Sequence, residues 1–225
     1  DSGYLALRAK SITGDRDMGS VESGVPPARG ALNKFAPQRS AVGHGTSHLS
    51  IIDRYGYVVS MTASIQASFG AQIRAAGFVL NNELTDFSLE PEIGGRMVAN
   101  APGPSKRPLS AMSPTIVFGK GGFFAAIGSP GGPDIISYNA QALIDLIDGG
   151  NSVATAVANP HFTNLNGSTI LEMRPSTLLL VPQLLIAGHS VRVRPLESGL
   201  NGIRNDGGKY SAATDVRGEG AARGE

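Results

Sequence analysis

The chain has 225 residues, 41% of them hydrophobic, which is enough for one sizeable core or two small ones and argues against wholesale disorder. Its 19 Lys and Arg against 18 Asp and Glu leave a net charge of +1 with no dense basic cluster, so nothing marks a nucleic-acid partner. With no Cys there is no disulfide, thiolate nucleophile or Cys-ligated metal, and the redox compartment stays open.

Residues 1–45 are rich in Gly, Pro, Ser and charge, with turns expected at Gly14-Asp15, Gly24-Val25-Pro26-Pro27 and Arg29-Gly30, and read as a linker or pro-segment. No signal-peptide pattern opens the chain. At Gly43-His44-Gly45-Thr46-Ser47-His48 a flexible stretch hands over to a β-rich run. A threonine hydroxyl is a poor nucleophile unless activated, and one route is to make that threonine a chain N-terminus whose own amine acts as base. Thr46 is therefore a candidate nucleophile exposed by a cut after Gly45; an ordinary turn leading into a buried strand is the plainer alternative.

Leu49 to Asp53 and Tyr57 to Ile65, joined through Arg54-Tyr55-Gly56, predict a β-hairpin that starts at Thr46. Asn81 to Ser88 places Glu83 and Asp86 three residues apart, which suits either an ammonium grip or a solvated loop with an Asx turn. Pro104 to Pro114 carries Lys106, Arg107 and three hydroxyls, among them Ser110, and is either a rigid donor loop or a surface connector. Thr115 to Phe118 and Phe123 to Ile127 predict a second hairpin, apolar enough for a sheet covered on both faces. The turn Gly128-Ser129-Pro130-Gly131-Gly132-Pro133 then leads into the strongest helix, residues 134–148, with Asp134 as its expected cap. Backbone amides at such a junction suit an oxyanion hole or anion cradle, and equally a purely structural turn.

Further helices are expected over 152–158 and from 176 to 188, the latter kinked or split at Pro182. The apolar run Leu178 to Ala187 is too short and too interrupted to cross a bilayer. Strands are expected at 191–193, 202–205 and 209–213. Strands, helices and strands again indicate a layered α+β domain. His44, His48, His161 and His189 show neither metal-binding spacing nor an obvious acidic partner, so no metal site is expected and His48 reads as structural. No G-x-S-x-G elbow supports a serine hydrolase.

Five blocks in order resemble the γ-glutamyltransferase (γ-glutamyltranspeptidase) family: Thr46 to Ser50, Asn81 to Ser88, Lys106 to Thr115, Gly128 to Gly132 and Asp215 to Ala221. The resemblance implies an N-terminal nucleophile hydrolase with an αββα sandwich, made as a precursor that cleaves itself between Gly45 and Thr46. Residues 1–45 would be the tail of the large subunit and 46–225 the small, catalytic subunit, completed by the rest of a large subunit from the same precursor. It further implies Thr46 as the acyl-accepting nucleophile, Ser64 supporting it, Gly131 and Gly132 as oxyanion-hole amides, and Gln66, Glu83, Asp86 and Ser110 as substrate-binding residues. The implied reaction is transfer or hydrolysis of a small-molecule γ-glutamyl donor, with an amine or water as acceptor and no cofactor or metal, in a periplasmic or secreted setting. Ser47, Gln66 and Ala111 depart from the usual Thr, Asn and second Ser, and residues 89–105 form a shorter lid than is typical of bacterial members. Ala111 and the short lid keep a glutaryl or cephalosporin-type amide acylase as an alternative, and the 45 residues ahead of Thr46 keep an unmatured inactive precursor as another.

Overall fold

The computed structural model describes residues 1–25, 35–36 and 45–224. The turns expected at Pro26-Pro27 and Arg29-Gly30, and Gly43-His44 before the candidate cut, lie outside the described residues. The early segment is not all loop: α1 (Ser2–Ala9) begins after Asp1, whose carboxylate accepts the Tyr4 N–H at 2.8 Å. None of its residues is buried, so local capping rather than packing accounts for it, and a hydrophobic pattern could not have revealed it. Farther along, Asp17 N–H donates to the Ala187 carbonyl at 2.7 Å and Val21 N–H to Asn166 Oδ1 at 2.6 Å, tying this segment to the body.

The first predicted hairpin is present as β1 (Thr46–Ile52) and β2 (Val58–Ser64), antiparallel, with Thr46 opposite Ser64 and His48 opposite Thr62. Because side chains alternate along a strand, Thr46, His48, Ser50, Ser60, Thr62 and Ser64 share the inner face, and a one-residue slip would turn all of them outward. The polarity of this hairpin is largely inverted: its inner face is polar up to the Ile52-Val58 pair, and its outer face carries Ile51, Val59 and Met61, exposed at 51%, 45% and 46%. Two short ribbons follow, β3 (Arg74–Ala75) with β4 (Phe78–Val79) and β5 (Glu92–Ile93) with β6 (Arg96–Met97). The second of these occupies the expected lid stretch.

The main sheet has the order β13-β12-β8-β7, from β7 (Thr115–Gly119), β8 (Gly122–Gly128), β12 (Asn201–Asn205) and β13 (Tyr210–Thr214). Its neighbouring pairs are antiparallel. One face packs on α2 (Ile135–Ile147) and α3 (Val153–Ala158), where Ile127, Tyr138, Leu146, Val157 and Leu200 form the core. Against the other face lies the β1-β2 hairpin, joined by Ser60 Oγ donating to the Ile127 carbonyl (3.3 Å) and Asn201 Nδ2 to the His48 carbonyl (2.9 Å). The expectation of cover on both faces holds for β8, whose last four residues are fully buried. It fails for β7, an edge strand with Phe118 70% exposed.

The helix expected from residue 134 begins one residue later, after a 3-10 turn over Gly132–Asp134, and the Asp134 side chain makes no capping bond. That carboxylate is engaged elsewhere, with Thr163 Oγ1 at 2.8 Å and Arg194 Nη2 at 3.4 Å. Ser152 does cap α3, accepting the Thr155 N–H at 3.1 Å. The third helical stretch is split, as α4 (Pro175–Leu178) and α5 (Val181–Ile186), with Pro182 in the first turn of α5, where a missing N–H costs nothing. A small second sheet, ordered β11-β10-β9, is formed by β9 (Phe162–Thr163), β10 (Thr169–Glu172) and β11 (Val191–Arg194). No helix among the described residues is long and apolar enough to cross a membrane.

Candidate active site

The register of β1 and β2 builds the centre of the site. Thr46 Oγ1 and Ser64 Oγ are 3.0 Å apart, and Ser64 Oγ also accepts the Gln66 N–H at 2.9 Å and lies 3.4 Å from the Gly45 carbonyl oxygen. That carbonyl accepts the Ile65 N–H at 2.9 Å, while Gly45 N–H donates to the Gln66 carbonyl at 2.9 Å. The peptide bond between Gly45 and Thr46 is thus held in a frame, with one backbone donor and one hydroxyl on its carbonyl oxygen. Gly45 fits where a larger residue does not: a Cβ there would stand 2.7 Å from the Ala67 carbonyl oxygen and 2.8 Å from Ile65 Cγ1. The backbone N–H of Ile65 carries no sequence signature, which is why sequence reasoning passed over it.

Thr46 opens on a cavity of about 190 Å³ whose wall also includes Ser64, Gln66, Glu83, Asp86, Ser110, Ala111 and Gly132, with Leu109, Ile135, Ile136 and Leu165 on its apolar side. Of the sequence-predicted site residues, only Gly131 and Gly45 are missing from this wall; Gly131 lines a second cavity that shares Thr46, Pro133 and Leu165 with the first. Glu83 and Asp86 sit on one 3-10 turn. Burial raises the Glu83 pKa, as do the charge and hydrogen bond of Asp86, and burial likewise raises that of Asp86. Glu83 Oε2 is buried without a hydrogen-bond partner, while Asp86 Oδ1 accepts from Gln66 Nε2. A carboxylate pair in this state gains from any cation placed between its members. Gln66 is held at φ 72°, a left-handed conformation uncommon for such a side chain.

The 104–114 loop differs from a donor loop in one respect. Lys106 Nζ is spent on the Ala99 and Ala101 carbonyls (2.9 and 2.5 Å) and is absent from the cavity wall, whereas Ser110 lies in it. His48 is structural in its contacts: Nδ1 meets Thr62 Oγ1 at 2.8 Å, Nε2 meets Ser50 Oγ at 3.2 Å, and burial lowers its pKa to about 4. Gly131, at φ 135°, is confined by the Tyr138 ring, to which a Cβ would approach within 2.7 Å.

Two histidines read from sequence as lacking acidic partners have them in space. His161 Nε2 lies 3.7 Å from Asp215 Oδ2, and His189 Nδ1 lies 3.5 Å from Asp17 Oδ1. His161 belongs to a buried ionic cluster. There Arg217 donates twice to Glu172 (2.8 Å each), once to Asp215 (2.7 Å), and to the carbonyls of Val157, Ala158 and Asn159. Burial alone would raise the Glu172 pKa, but hydrogen bonds from Arg217, the His161 N–H and Arg174 outweigh it and hold the group at about 2. No group of three or more potential metal-ligating side chains occurs among the described residues.

A helix layer, a four-stranded sheet and a two-stranded layer opening on a threonine is the stacking of the N-terminal nucleophile hydrolases, of which the described residues hold three layers. The chain belongs to the gamma-glutamyltranspeptidase family, whose model matches residues 1–225. It is 39% identical over 163 residues to the glutathione hydrolase proenzyme of Escherichia coli, covering 68% of this chain and 27% of that protein. To the acylase ACY 1 proenzyme of a Pseudomonas species it is 35% identical over 180 residues, covering 78% of this chain and 31% of the relative. A solved mutant of Helicobacter pylori gamma-glutamyltranspeptidase superposes with a TM-score of 0.65 at 34% identity, covering 76% of this chain and 99% of that one. The chain therefore spans about a third or less of the length of these curated relatives.

Proposed function

We propose that this chain is the catalytic part of an enzyme that transfers or hydrolyses γ-glutamyl groups through an ester on Thr46, after cleavage between Gly45 and Thr46. The observation that carries this reading is the Thr46 hydroxyl, 3.0 Å from Ser64 Oγ, on a cavity wall shared with Gly132 and the Glu83-Asp86 pair. In maturation, Thr46 Oγ1 attacks the Gly45 carbonyl carbon while the Ile65 N–H and Ser64 hydroxyl hold the oxygen as it gains charge. The C–N bond breaks, the nitrogen takes the proton, and water hydrolyses the resulting ester to leave a Gly45 carboxylate and a free Thr46 amine. Until then that nitrogen is an amide and cannot serve as base, so the uncut chain is inactive.

In turnover, Thr46 Oγ1 attacks the γ-carbonyl of the donor, its proton passes through the freed amine to the departing amine, and water or an amine acceptor releases the acyl group. Glu83 and Asp86 grip the donor ammonium, Ser110 meets its carboxylate, Gln66 contacts the head group, and the Gly131 and Gly132 amides face the developing oxyanion. On this reading residues 1–45 are the tail of a large subunit and 46–225 the small one. The exposed apolar face of Ile51, Val59 and Met61 is where a fourth, helical layer from that large subunit packs. Mass spectrometry should find a new N-terminus at Thr46, absent from Thr46→Ala. An uncut Thr46→Ala protein with full γ-glutamyl turnover ends the proposal.

A second reading, hydrolysis of glutaryl-type amides, is favoured by the apolar side formed by Leu109, Ile135, Ile136 and Leu165. The two acyl groups differ only at the α-carbon, where γ-glutamyl offers an ammonium to the Glu83-Asp86 pair and glutaryl has a CH₂ suited to the apolar side. Comparing γ-glutamyl with glutaryl amides decides between the two.

A further inference from the structure

In a trans peptide the carbonyl and the following N–H point in opposite directions, so whatever fixes the Pro130 oxygen also aims the Gly131 amide. That oxygen is fixed. Ser129, fully buried, donates its hydroxyl to the Pro130 carbonyl at 2.6 Å, and Ser198 Oγ stands 3.4 Å from the same hydroxyl. The next residue, Gly131, is at φ 135°, a conformation that glycine enters and leaves freely, so the residue itself does not hold it there. The Tyr138 ring does: it lies so close that a Cβ on Gly131 would meet it at 2.7 and 3.2 Å. Tyr138 is backed in turn by His161, their buried rings stacked with 4.3 Å between centroids and 25° between planes. Glu172 holds the His161 backbone at both ends, its carboxylate accepting the N–H at 2.8 Å and its own N–H donating to the carbonyl at 2.9 Å. The imidazole nitrogens do not account for the ring's place, because Nε2 is buried without a hydrogen-bond partner, 3.7 Å from Asp215 Oδ2. An orphaned buried nitrogen costs stability, so what the ring contributes here is its flat face.

We propose that Ser129 and the Tyr138-His161 stack are positioning residues, a clamp that aims the Gly131 amide at the developing oxyanion; this rests on the acyl-transfer reading above, in which Gly131 and Thr46 act together. The serine hydroxyl sets the plane of the Pro130-Gly131 peptide, and the stacked rings keep Gly131 from turning out of it. Hydrogen-bond donors stabilise a transition state only when they are held where the charge develops, so a loosened peptide forfeits that stabilisation without any contact to the substrate being removed. The clamp serves turnover and not maturation. In self-cleavage the oxygen that gains charge is that of Gly45, which has its own donors in the Ile65 N–H and the Ser64 hydroxyl. In turnover it is the γ-carbonyl oxygen of the donor, which falls to the Gly131 and Gly132 amides. Glu83, Asp86 and Ser110, which bind the donor head group, belong to the 3-10 turn and the 104–114 loop, so loosening the clamp lowers kcat and leaves KM.

The test uses the matured enzyme containing this chain, with a γ-glutamyl anilide as donor and kcat counted per freed Thr46 N-terminus, so that uncut protein does not enter. Ser129→Ala removes the hydroxyl and adds no bulk. His161→Leu gives up the flat ring, whereas His161→Phe keeps it and removes the orphaned nitrogen. Ser129→Ala and His161→Leu should each lower kcat roughly 10- to 100-fold, the scale of a small misplacement of a catalytic group, with little change in the donor KM. His161→Phe should stay near the unsubstituted kcat, and self-cleavage after Gly45 should proceed in all three variants. A normal kcat in either Ser129→Ala or His161→Leu overturns the clamp, whatever happens to Tm, and leaves the acyl-transfer reading standing. A kcat as low in His161→Phe as in His161→Leu, or self-cleavage lost in step with turnover, marks a general structural role and overturns the clamp as well. No turnover of the anilide by the unsubstituted enzyme overturns both the clamp and the acyl-transfer reading.

Discussion

Arg217→Met takes from two buried carboxylates, Glu172 and Asp215, the guanidinium that pairs with both. Glu172 and Asp215 side chains are 5% and 0% exposed, and Arg217 reaches them through three contacts of 2.7 to 2.8 Å. Removing one partner of such a buried set costs about 3–5 kcal/mol. The lower end applies here, because Arg174 Nε (2.9 Å) and the His161 N–H (2.8 Å) still hold Glu172. For a chain of this size about 3 kcal/mol corresponds to a fall in Tm of roughly 6–12 °C. The sign of the pH dependence follows from Glu172, whose folded pKa of about 2 lies below its ordinary 4.5. The stabilisation it supplies is complete above 4.5 and is lost as pH falls toward 2, so the gap between wild type and variant should be full at pH 7 and close in acid. Urea unfolding at pH 7 and pH 3 measures both. A loss under about 1 kcal/mol at pH 7, below the range for a broken buried pair, or an equal loss at both pH values, refutes the assignment of this cluster as a buried ionic clamp.

The other expectations concern the site and its backing. Asp86→Ala should raise KM for a γ-glutamyl anilide about 10- to 100-fold with a smaller change in kcat, as expected when a charge-assisted hydrogen bond to the donor ammonium is lost; an unchanged KM counts against the grip. Gly131→Ala puts a Cβ 2.7 Å from the buried Tyr138 ring at φ 135°, and should lower stability by about 1–3 kcal/mol and kcat by roughly 10²- to 10³-fold if that amide faces the oxyanion. A stable variant with normal kcat would show that the turn has neither role. His48 favours its neutral form in the fold, its pKa lowered from 6.5 to about 4, so it contributes stability that is complete above 6.5 and lost as pH falls through 4. His48→Gln should flatten the stability profile between those values, and an identical slope in thermal unfolding would rule out this source of acid sensitivity.

Sequence alone determined the parts that depend on local chemistry: the glycine-to-strand switch at Thr46, the hairpin that follows it, the Gly131-Gly132 turn before α2, the acid pair on one turn, and the order of blocks that resembles the family. Each is carried by residues adjacent in the chain, so backbone preference and alternation suffice to reveal it. The tertiary structure decided what depends on contacts distant in sequence. Whether Ser64 reaches Thr46 is a matter of hairpin register, and whether Asp134 caps its helix depends on Thr163 and Arg194, which approach from the second sheet. The Arg217 cluster joins Glu172 and Asp215 across 45 and 2 residues of chain, respectively, and no local pattern requires it. His161 finds Asp215 in the same way. α1 and the edge position of β7 escaped for a related reason, since hydrophobic pattern reports burial, and these elements owe their form to a cap and to their place in a sheet.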